Sequence, residues 1–97
     1  CNDEGALGTL NALTNAGFSP DDLIVVGLGA YEACHPWAAG QPSGFKAALY
    51  ISGVDVGSAA AKALIAAIDN GTPLPPKTVA NTTIVTPDNY KSVMTCQ

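Results

Sequence analysis

The stretch Leu23-Ile24-Val25-Val26-Gly27-Leu28-Gly29 decides the fold class of this chain. Its first four residues are apolar and mostly β-branched, and they follow the polar pair Asp21-Asp22. A short, continuous apolar run of this kind is typical of a strand buried on both faces of a parallel sheet. We therefore predict a strand over residues 23–26. Its two glycines should turn the chain sharply at the carboxyl end, where open α/β sheets bind ligands.

A helix is predicted before this strand, at about Asp3–Ala16. Asn2 and Asp3 can accept hydrogen bonds from the free backbone N–H groups of a first helical turn. Apolar residues follow at helical spacing, and Gly17 and Ser19-Pro20 are suited to stop the helix.

Extended and helical patterns alternate after the strand. Tyr31–Ala39 is ambiguous, because Pro36 limits any helix there to a turn or two. Phe45–Ile51 is predicted to be a second strand. An alanine-rich apolar stripe then predicts a helix that is capped by Asp55 and ends at Asn70-Gly71.

The last part of the sequence contains a stiff connector at Thr72–Pro76. Val79–Val85 is predicted to be extended, and a final helix, capped by Thr86 or Asp88, should run to about Met94. The resulting order, α-β-(turn)-β-α-β-α, predicts an α/β fold with three layers and a mostly parallel sheet flanked by helices.

Charge and composition exclude several classes of function. The net charge is −4, there is no arginine, and the lysines are scattered at Lys46, Lys62, Lys77 and Lys91. Nucleic acid and anionic membrane surfaces are therefore not expected as partners, since both require clustered positive charge. Charged residues make up only 12% of the chain, about half the usual share. This suggests burial on several sides and partner structure that the chain lacks.

The residues with catalytic or metal-binding chemistry are few. His35 is the only histidine, no phosphate-binding glycine loop is present, and no nucleophile–base pair stands out. We therefore expect no enzyme activity, no cofactor and no metal site. The three cysteines, Cys1, Cys34 and Cys96, cannot all pair within the chain. One bridge is possible, but its connectivity cannot be deduced from sequence.

Several segments together resemble sugar-binding proteins of the periplasmic binding-protein family, most closely the arabinose-binding proteins. They occur in the same order along essentially the whole chain: Asn2–Gly8 with Ala12–Gly17, Ile24–Gly27, Gly44–Gly57, Asn70–Pro76 and Thr86–Tyr90. The resemblance implies the C-terminal portion of a protein with two α/β lobes. Residues 1–50 would belong to the C-terminal lobe, 55–80 to the N-terminal lobe, and 83–97 would return. The crossings would fall near Ile51–Gly53 and Asn81–Thr82.

The resemblance also implies a ligand site and partners. Asn2 occupies the position of a sugar-binding asparagine, and an amide can both donate to and accept from a sugar hydroxyl. Gly29 stands where the family has Asp or Asn, so one polar contact is lost, and Tyr31, Glu32 or Gln41 would have to compensate. Expected partners are a monosaccharide, an ABC transporter permease, and either the rest of the parent chain or a second copy. The expected location is the periplasm, or an extracytoplasmic surface to which Cys1 is lipid-anchored.

Two other interpretations stay open at this stage. The same architecture forms the effector-binding core of lac-repressor-type transcriptional regulators. A stand-alone small α/β domain that associates with itself is the second alternative, and in that case no ligand is implied.

Overall fold

The computed structural model describes residues 1–97 and contains four α-helices, three β-strands and a short 3-10 turn at Pro20–Asp22. In chain order these are α1 (Asp3–Asn15), β1 (Val25–Gly29), α2 (Cys34–Ala38), β2 (Phe45–Ile51), α3 (Gly53–Asn70), β3 (Thr82–Val85) and α4 (Tyr90–Val93). The predicted α/β class and the predicted order of elements are confirmed. No helix has the length and apolar character needed to cross a membrane.

Helix α1 begins where the sequence predicts and ends one residue early. The side chain of Asn2 accepts a hydrogen bond from the backbone N–H of Gly5 at 3.0 Å, which satisfies one free donor of the first turn. The helix ends at Asn15, and Ala16 caps it through its backbone N–H. Leu10, about two turns into the helix, is buried and joins the core.

Strand β1 lies two to three residues later than predicted. Gly27 and Gly29 pair with Ala48 and Tyr50 of β2, so both glycines belong to the strand, and only Gly29, its last residue, contributes to the predicted turn. The prediction was wrong because glycine was taken as a strand terminator, whereas Gly27 is needed inside the strand for close packing. Burial on both faces is also contradicted, because Val26 is 58% exposed.

The sheet has the strand order β1-β2-β3 and is mixed, with β1 and β2 parallel. The register shifts between Val25, which pairs with Phe45, and Val26, which pairs with Ala47, so Lys46 is an extra residue in β2. The face that contains Gly27, Ala48 and Val85 is buried, and the opposite face exposes Val26, Leu28 and Ile84. The predicted three-layer arrangement is therefore not confirmed.

One hydrophobic core lies under the covered face of the sheet. It consists of buried side chains from α1, α2, β2, β3, α4 and the segments that join them: Leu10, Leu23, Ala30, Ala33, Cys34, Phe45, Ala48, Val85, Tyr90 and Met94. Trp37 packs at its edge, with its ring centroid 5.6 Å from that of Tyr90. The indole Nε1–H of Trp37 donates to the carbonyl oxygen of Phe45 at 2.9 Å. Trp37 is therefore a packing residue.

A disulfide joins Cys34 at the start of α2 to Cys96 near the end of the chain, with Cα atoms 5.8 Å apart. Cys1 is a free, exposed thiol. The two bonded residues are separated by 62 positions. In the chain-entropy description, a loop of that length raises the free energy of the unfolded chain by about 4 kcal/mol.

The chain divides into two compact units, one containing Cys1–Tyr50 and Thr83–Gln97 and the other containing Ile51–Thr82. Helix α3 forms most of the second unit and has no buried residue. Its cap is Ser52, whose hydroxyl accepts from the N–H of Asp55, so the prediction that Asp55 itself caps the helix was wrong. Gly71 ends α3 in the left-handed conformation, as its position predicts.

The last two elements are shorter than predicted. Strand β3 covers only Thr82–Val85 of the segment that alternates in polarity. Helix α4 has one turn and is preceded by a turn in which Asn89 Oδ1 accepts from the N–H of Thr86 at 2.7 Å. Asn89 is the residue that precedes the helix, so neither Thr86 nor Asp88 is its cap. Tyr90 of α4 is buried and fixes this segment to the core.

Candidate ligand-binding site

A buried carboxylate connects the beginning of α1 to the loop that follows β1. The side chain of Asp3 is only 3% exposed, and its Oδ2 accepts from the backbone N–H groups of Glu32 at 3.0 Å and Ala33 at 3.3 Å. Hydrogen bonds to an ionised acceptor are among the stronger ones in proteins. The contact therefore holds the segment around Asn2 beside the segment around Tyr31 and Glu32.

Strand β1 leaves room for this carboxylate at one position. A Cβ at Gly27 would overlap Oδ1 of Asp3 and would lie 3.0 Å from Cε1 of Phe45. Oδ1 itself is buried and has no hydrogen-bond partner. The helix can approach the sheet this closely only because residue 27 has no side chain.

The chain turns sharply at the carboxyl end of β1, two residues later than predicted. Gly29 has φ 123° and Ala30 has φ 73°, the only positive φ of a residue other than glycine. Ala30 is fully buried, and the left-handed conformation of a non-glycine residue is uncommon and strained. The turn directs Tyr31 and Glu32 back toward the beginning of α1.

Gly29 is the predicted site residue that contributes no functional group. A Cβ built there would lie 3.8 Å from Cγ of Asp3 and 3.9 Å from Cδ2 of Tyr31, so the position belongs to this edge of the sheet. Its φ of 123° is a conformation that side-chain-bearing residues rarely adopt. The backbone thus gives a physical reason for the absence of an Asp or Asn at position 29.

Two aromatic rings meet at the carboxyl ends of β1 and β2. Tyr31 follows β1, Tyr50 is the penultimate residue of β2, and their ring centroids are 6.0 Å apart at an interplanar angle of 64°. Tyr31 remains 48% exposed. The predicted aromatic side chain is therefore available at the surface, supported by a second ring that sequence reasoning did not identify.

Asn2 and Glu32 supply the polar groups at this edge. Asn2 is exposed, and its Oδ1 caps α1, so both functions considered for it from the sequence remain compatible. Its amide nitrogen can still donate to a ligand. Glu32 is half-buried, and its backbone N–H is bound by Asp3. Through Asp3, the structure therefore places the backbone segment of Asn2 beside the segment that contains Gly29, Tyr31 and Glu32.

A separate groove of about 490 Å³ lies near the amino end of β2, at the opposite end of the strand from Tyr50. Its walls are mostly apolar side chains of α1 and of the segment around α2, and Glu32, His35 and Gln41 are among its polar lining residues. Gln41 lines this groove and does not lie at the edge that contains Asn2 and Tyr31. Glu32, which also lines the groove, is the one residue of the predicted site that the two places share. We place the candidate site at the carboxyl edge, where the predicted polar and aromatic groups converge.

The role of Asp3 was missed by sequence reasoning, which treated it only as a helix-capping residue. The available indication was the glycine inside an apolar strand, since an isolated strand glycine marks close approach by another group. No local pattern indicates that this group is the carboxylate of Asp3, 24 residues earlier in the chain.

Comparison with models of known protein families and with curated protein sequences finds no match for this chain. The chemistry of the edge is defined by its own residues: an amide, a carboxylate and two phenol rings. These groups can exchange hydrogen bonds with a polar ligand and can cover a flat apolar surface.

Proposed function

We propose that this chain is the C-terminal portion of a sugar-binding protein of the periplasmic type and that the carboxyl edge of its sheet binds a monosaccharide. The observation that supports the proposal is the pair of hydrogen bonds by which Asp3 holds the start of α1, with Asn2, beside the loop that contains Tyr31 and Glu32. The function is binding and delivery, and no catalytic step is part of it.

The groups at this edge suit a sugar. Hydroxyl groups both donate and accept hydrogen bonds, as does the amide of Asn2, while the carboxylate of Glu32 accepts two or more. The faces of a pyranose or furanose ring are apolar, and an exposed ring such as Tyr31 can cover one of them. A concave arrangement of a few polar groups around an aromatic surface is the usual composition of a small-molecule site.

The division of the chain into two units supports the same proposal. The chain leaves the first unit after Tyr50 and re-enters it at Thr83, close to the crossings that the resemblance implies. In the proposed intact protein, two lobes close on the sugar by a hinge motion, and the closed form is recognised by an ABC transporter permease at the membrane. This proposal includes a periplasmic location.

We expect the isolated chain to bind sugars weakly, because Gly29 supplies no side chain and a single lobe provides only part of the contacts. A ligand present at one tenth of its Kd raises the free energy of unfolding by only about 0.06 kcal/mol. Millimolar arabinose, xylose, ribose or galactose should therefore leave the melting temperature of this chain unchanged. Detecting the interaction requires a residue-specific method.

The test is a titration of the ¹⁵N-labelled chain with each of these sugars, followed by amide chemical shifts. We expect concentration-dependent shifts for at least one sugar, concentrated at Asn2, Asp3 and Tyr31–Ala33. The matched variant is Asn2→Ser, because serine retains the helix cap but lacks the amide group. In this variant α1 should remain folded and the shifts should decrease.

Two outcomes would contradict the proposal. One is the absence of selective shifts at this edge with all four sugars. The other is an Asn2→Ser variant that responds to sugar as the unaltered chain does. A sugar-induced increase in melting temperature would show that the isolated chain does not bind sugar weakly. It would still agree with the proposal that this edge binds a sugar.

A further inference from the structure

Cys34, His35 and Cys96 bring three metal-ligating atoms together in the first unit. The two sulfurs and a ring nitrogen of His35 all lie within 4.8 Å of one another. We propose that, when the Cys34–Cys96 disulfide is reduced, these side chains form a binding site for a thiophilic divalent metal ion of the Zn²⁺ class. The disulfide and the metal site are then alternative states of the same three residues.

The geometry requires little rearrangement. The distance between Cys96 Sγ and His35 Nδ1 is 3.8 Å. A tetrahedral zinc ion with Zn–S bonds of about 2.3 Å and Zn–N bonds of about 2.05 Å separates sulfur and nitrogen by about 3.6 Å. This pair is therefore already near the required spacing. The two sulfurs, once no longer bonded, must separate to about 3.8 Å.

The core holds both sulfur-bearing segments in place independently of the disulfide. Cys34 is buried at the start of α2, and Cys96 follows the buried residues Tyr90 and Met94. Contact between the rings of Trp37 and Tyr90 also joins α2 to α4. Reduction therefore leaves the thiols close to each other, which lowers the entropy cost of metal binding.

The surroundings of the three side chains differ in a way that suits an accessible site. Cys34 is buried, and its Sγ lies 3.2 Å from the carbonyl oxygen of Tyr31. After reduction, the thiol of Cys34 could donate a hydrogen bond to that oxygen. Cys96 is half-buried and His35 is exposed, so a metal ion can enter from the solvent side. With three protein ligands, the fourth position would be taken by water, as in open zinc sites.

The proposed sequence of reactions is balanced by a dithiol reductant. The dithiol gives two electrons and two protons to the Cys34–Cys96 bond, becomes a disulfide, and leaves two protein thiols. Metal binding then displaces one proton from each thiol, while His35 binds through unprotonated Nδ1 and keeps its proton on Nε2. Soft thiolate ligands favour Zn²⁺ over Mg²⁺ or Ca²⁺.

The experiment uses the full chain with Cys1→Ser, so that the exposed free thiol cannot act as a ligand. The protein is compared in its oxidised form and after reduction with a dithiol, which is removed under nitrogen before Co²⁺ is added. We expect thiolate-to-cobalt charge-transfer absorption that saturates at one Co²⁺ per chain in the reduced form only. Zn²⁺ should displace the cobalt, and Mg²⁺ should not.

Two further variants distinguish a three-residue site from binding by the thiols alone. His35→Ala, which keeps both cysteines, should weaken Co²⁺ binding roughly tenfold or more, the effect expected when a group that controls a metal site is removed. Cys96→Ser should weaken it further and reduce the charge-transfer intensity, because one thiolate is lost. Far-UV circular dichroism of the reduced, metal-free protein establishes whether it remains folded.

The proposal is overturned if the reduced, folded chain gives no thiolate-to-cobalt absorption, or if His35→Ala binds Co²⁺ as tightly as the parent. If reduction unfolds the chain, metal ions should restore its circular dichroism spectrum, since binding energy at a native site is folding energy. Failure of Zn²⁺ to refold the chain under those conditions also overturns it.

Discussion

The contact between Asp3 and Gly27 fixes the separation of α1 and β1 at the candidate site. One carboxylate oxygen accepts two backbone hydrogen bonds, and the other lies against the strand, where a Cβ at residue 27 would overlap it. The ring of Phe45 also lies close to this position, because a Cβ at residue 27 would be 3.0 Å from its Cε1. Neither the helix nor the ring can move away easily, because Asp3 and Phe45 are both buried.

Gly27→Ala should therefore lower the free energy of unfolding by about 1–3 kcal/mol, the usual range for overpacking in a core. Chemical denaturation measures the change. Gly8→Ala is the matched control, since a Cβ at this exposed helical position would meet no atom within 4 Å. There, replacement of a helical glycine should raise stability by about 0.5–1 kcal/mol.

The interaction with Asp3 can be separated from the effect of Phe45 by a double variant. Asp3→Ala removes the overlapping oxygen but leaves two buried N–H groups without their acceptor, which should cost about 1–3 kcal/mol. In the double variant with Gly27→Ala, the loss should be smaller than the sum of the two single losses. Additive losses would show that the alanine at 27 is accommodated without contact with Asp3.

Single residues of the candidate site were only partly predictable from the sequence. Asn2, Tyr31 and Glu32 remain predictions as ligand contacts; the structure places their segments beside each other through Asp3, because carboxyl-end loops and helix starts meet at one edge of an α/β sheet. Tyr50 was overlooked because it looks like an ordinary strand residue. The positive φ of Ala30 was unpredictable, since local sequence preference assigns such conformations to glycine and only long-range packing places an alanine there.

At the scale of whole elements, the order and type of the helices and strands followed from hydrophobic periodicity, and β2 matched its predicted limits. The errors occurred at the ends. Strand β1 was displaced because the apolar run Leu23-Ile24 was taken as strand, whereas pairing with β2 begins at Val25. Where a strand begins depends on its partner's register, which a single segment does not encode.

Helix α3 provides an element-scale prediction. Ser52→Ala should destabilise this helix by about 1 kcal/mol, because the hydroxyl that accepts from the N–H of Asp55 is lost. Circular dichroism during thermal unfolding would measure the loss. Ser58→Ala, at an exposed position within the same helix, should instead be neutral or slightly stabilising, since alanine is the better helix former.

Asp55→Ser discriminates between the two capping assignments, because serine at position 55 is itself a good cap residue. If Ser52 is the cap, Asp55→Ser should lose only the small favourable interaction of a negative charge with the helix start, about 0.3–1 kcal/mol. A larger loss for this variant than for Ser52→Ala would contradict the capping arrangement.

For the whole molecule, the exposed face of the sheet is an apolar surface next to a free strand edge. Val26, Leu28 and Ile84 are apolar and exposed on it, and β1, being an edge strand, has backbone groups without a strand partner on one side. Exposed apolar patches and free edges of this kind promote association. The low proportion of charged residues leaves little electrostatic repulsion to oppose it.

We therefore expect concentration-dependent self-association in sedimentation velocity experiments, and Val26→Lys should shift the population toward the monomer. Val79→Lys is the control, because Val79 is also highly exposed but lies between α3 and β3, outside the sheet. This control adds the same charge and should change the association much less. A chain that is monomeric at all concentrations, or equal effects of the two variants, would show that this face does not mediate association.

The Cys34–Cys96 bond also determines how the chain would respond to mechanical force. A pull applied between residues 1 and 97 passes from Cys96 directly to Cys34, so the 62-position segment between them carries no tension. The contour length of that segment, about 220 Å, is therefore not released when the oxidised chain is stretched. In the oxidised chain, β2, α3, β3 and α4 are therefore shielded from the load, and only reduction of the bond makes them extensible.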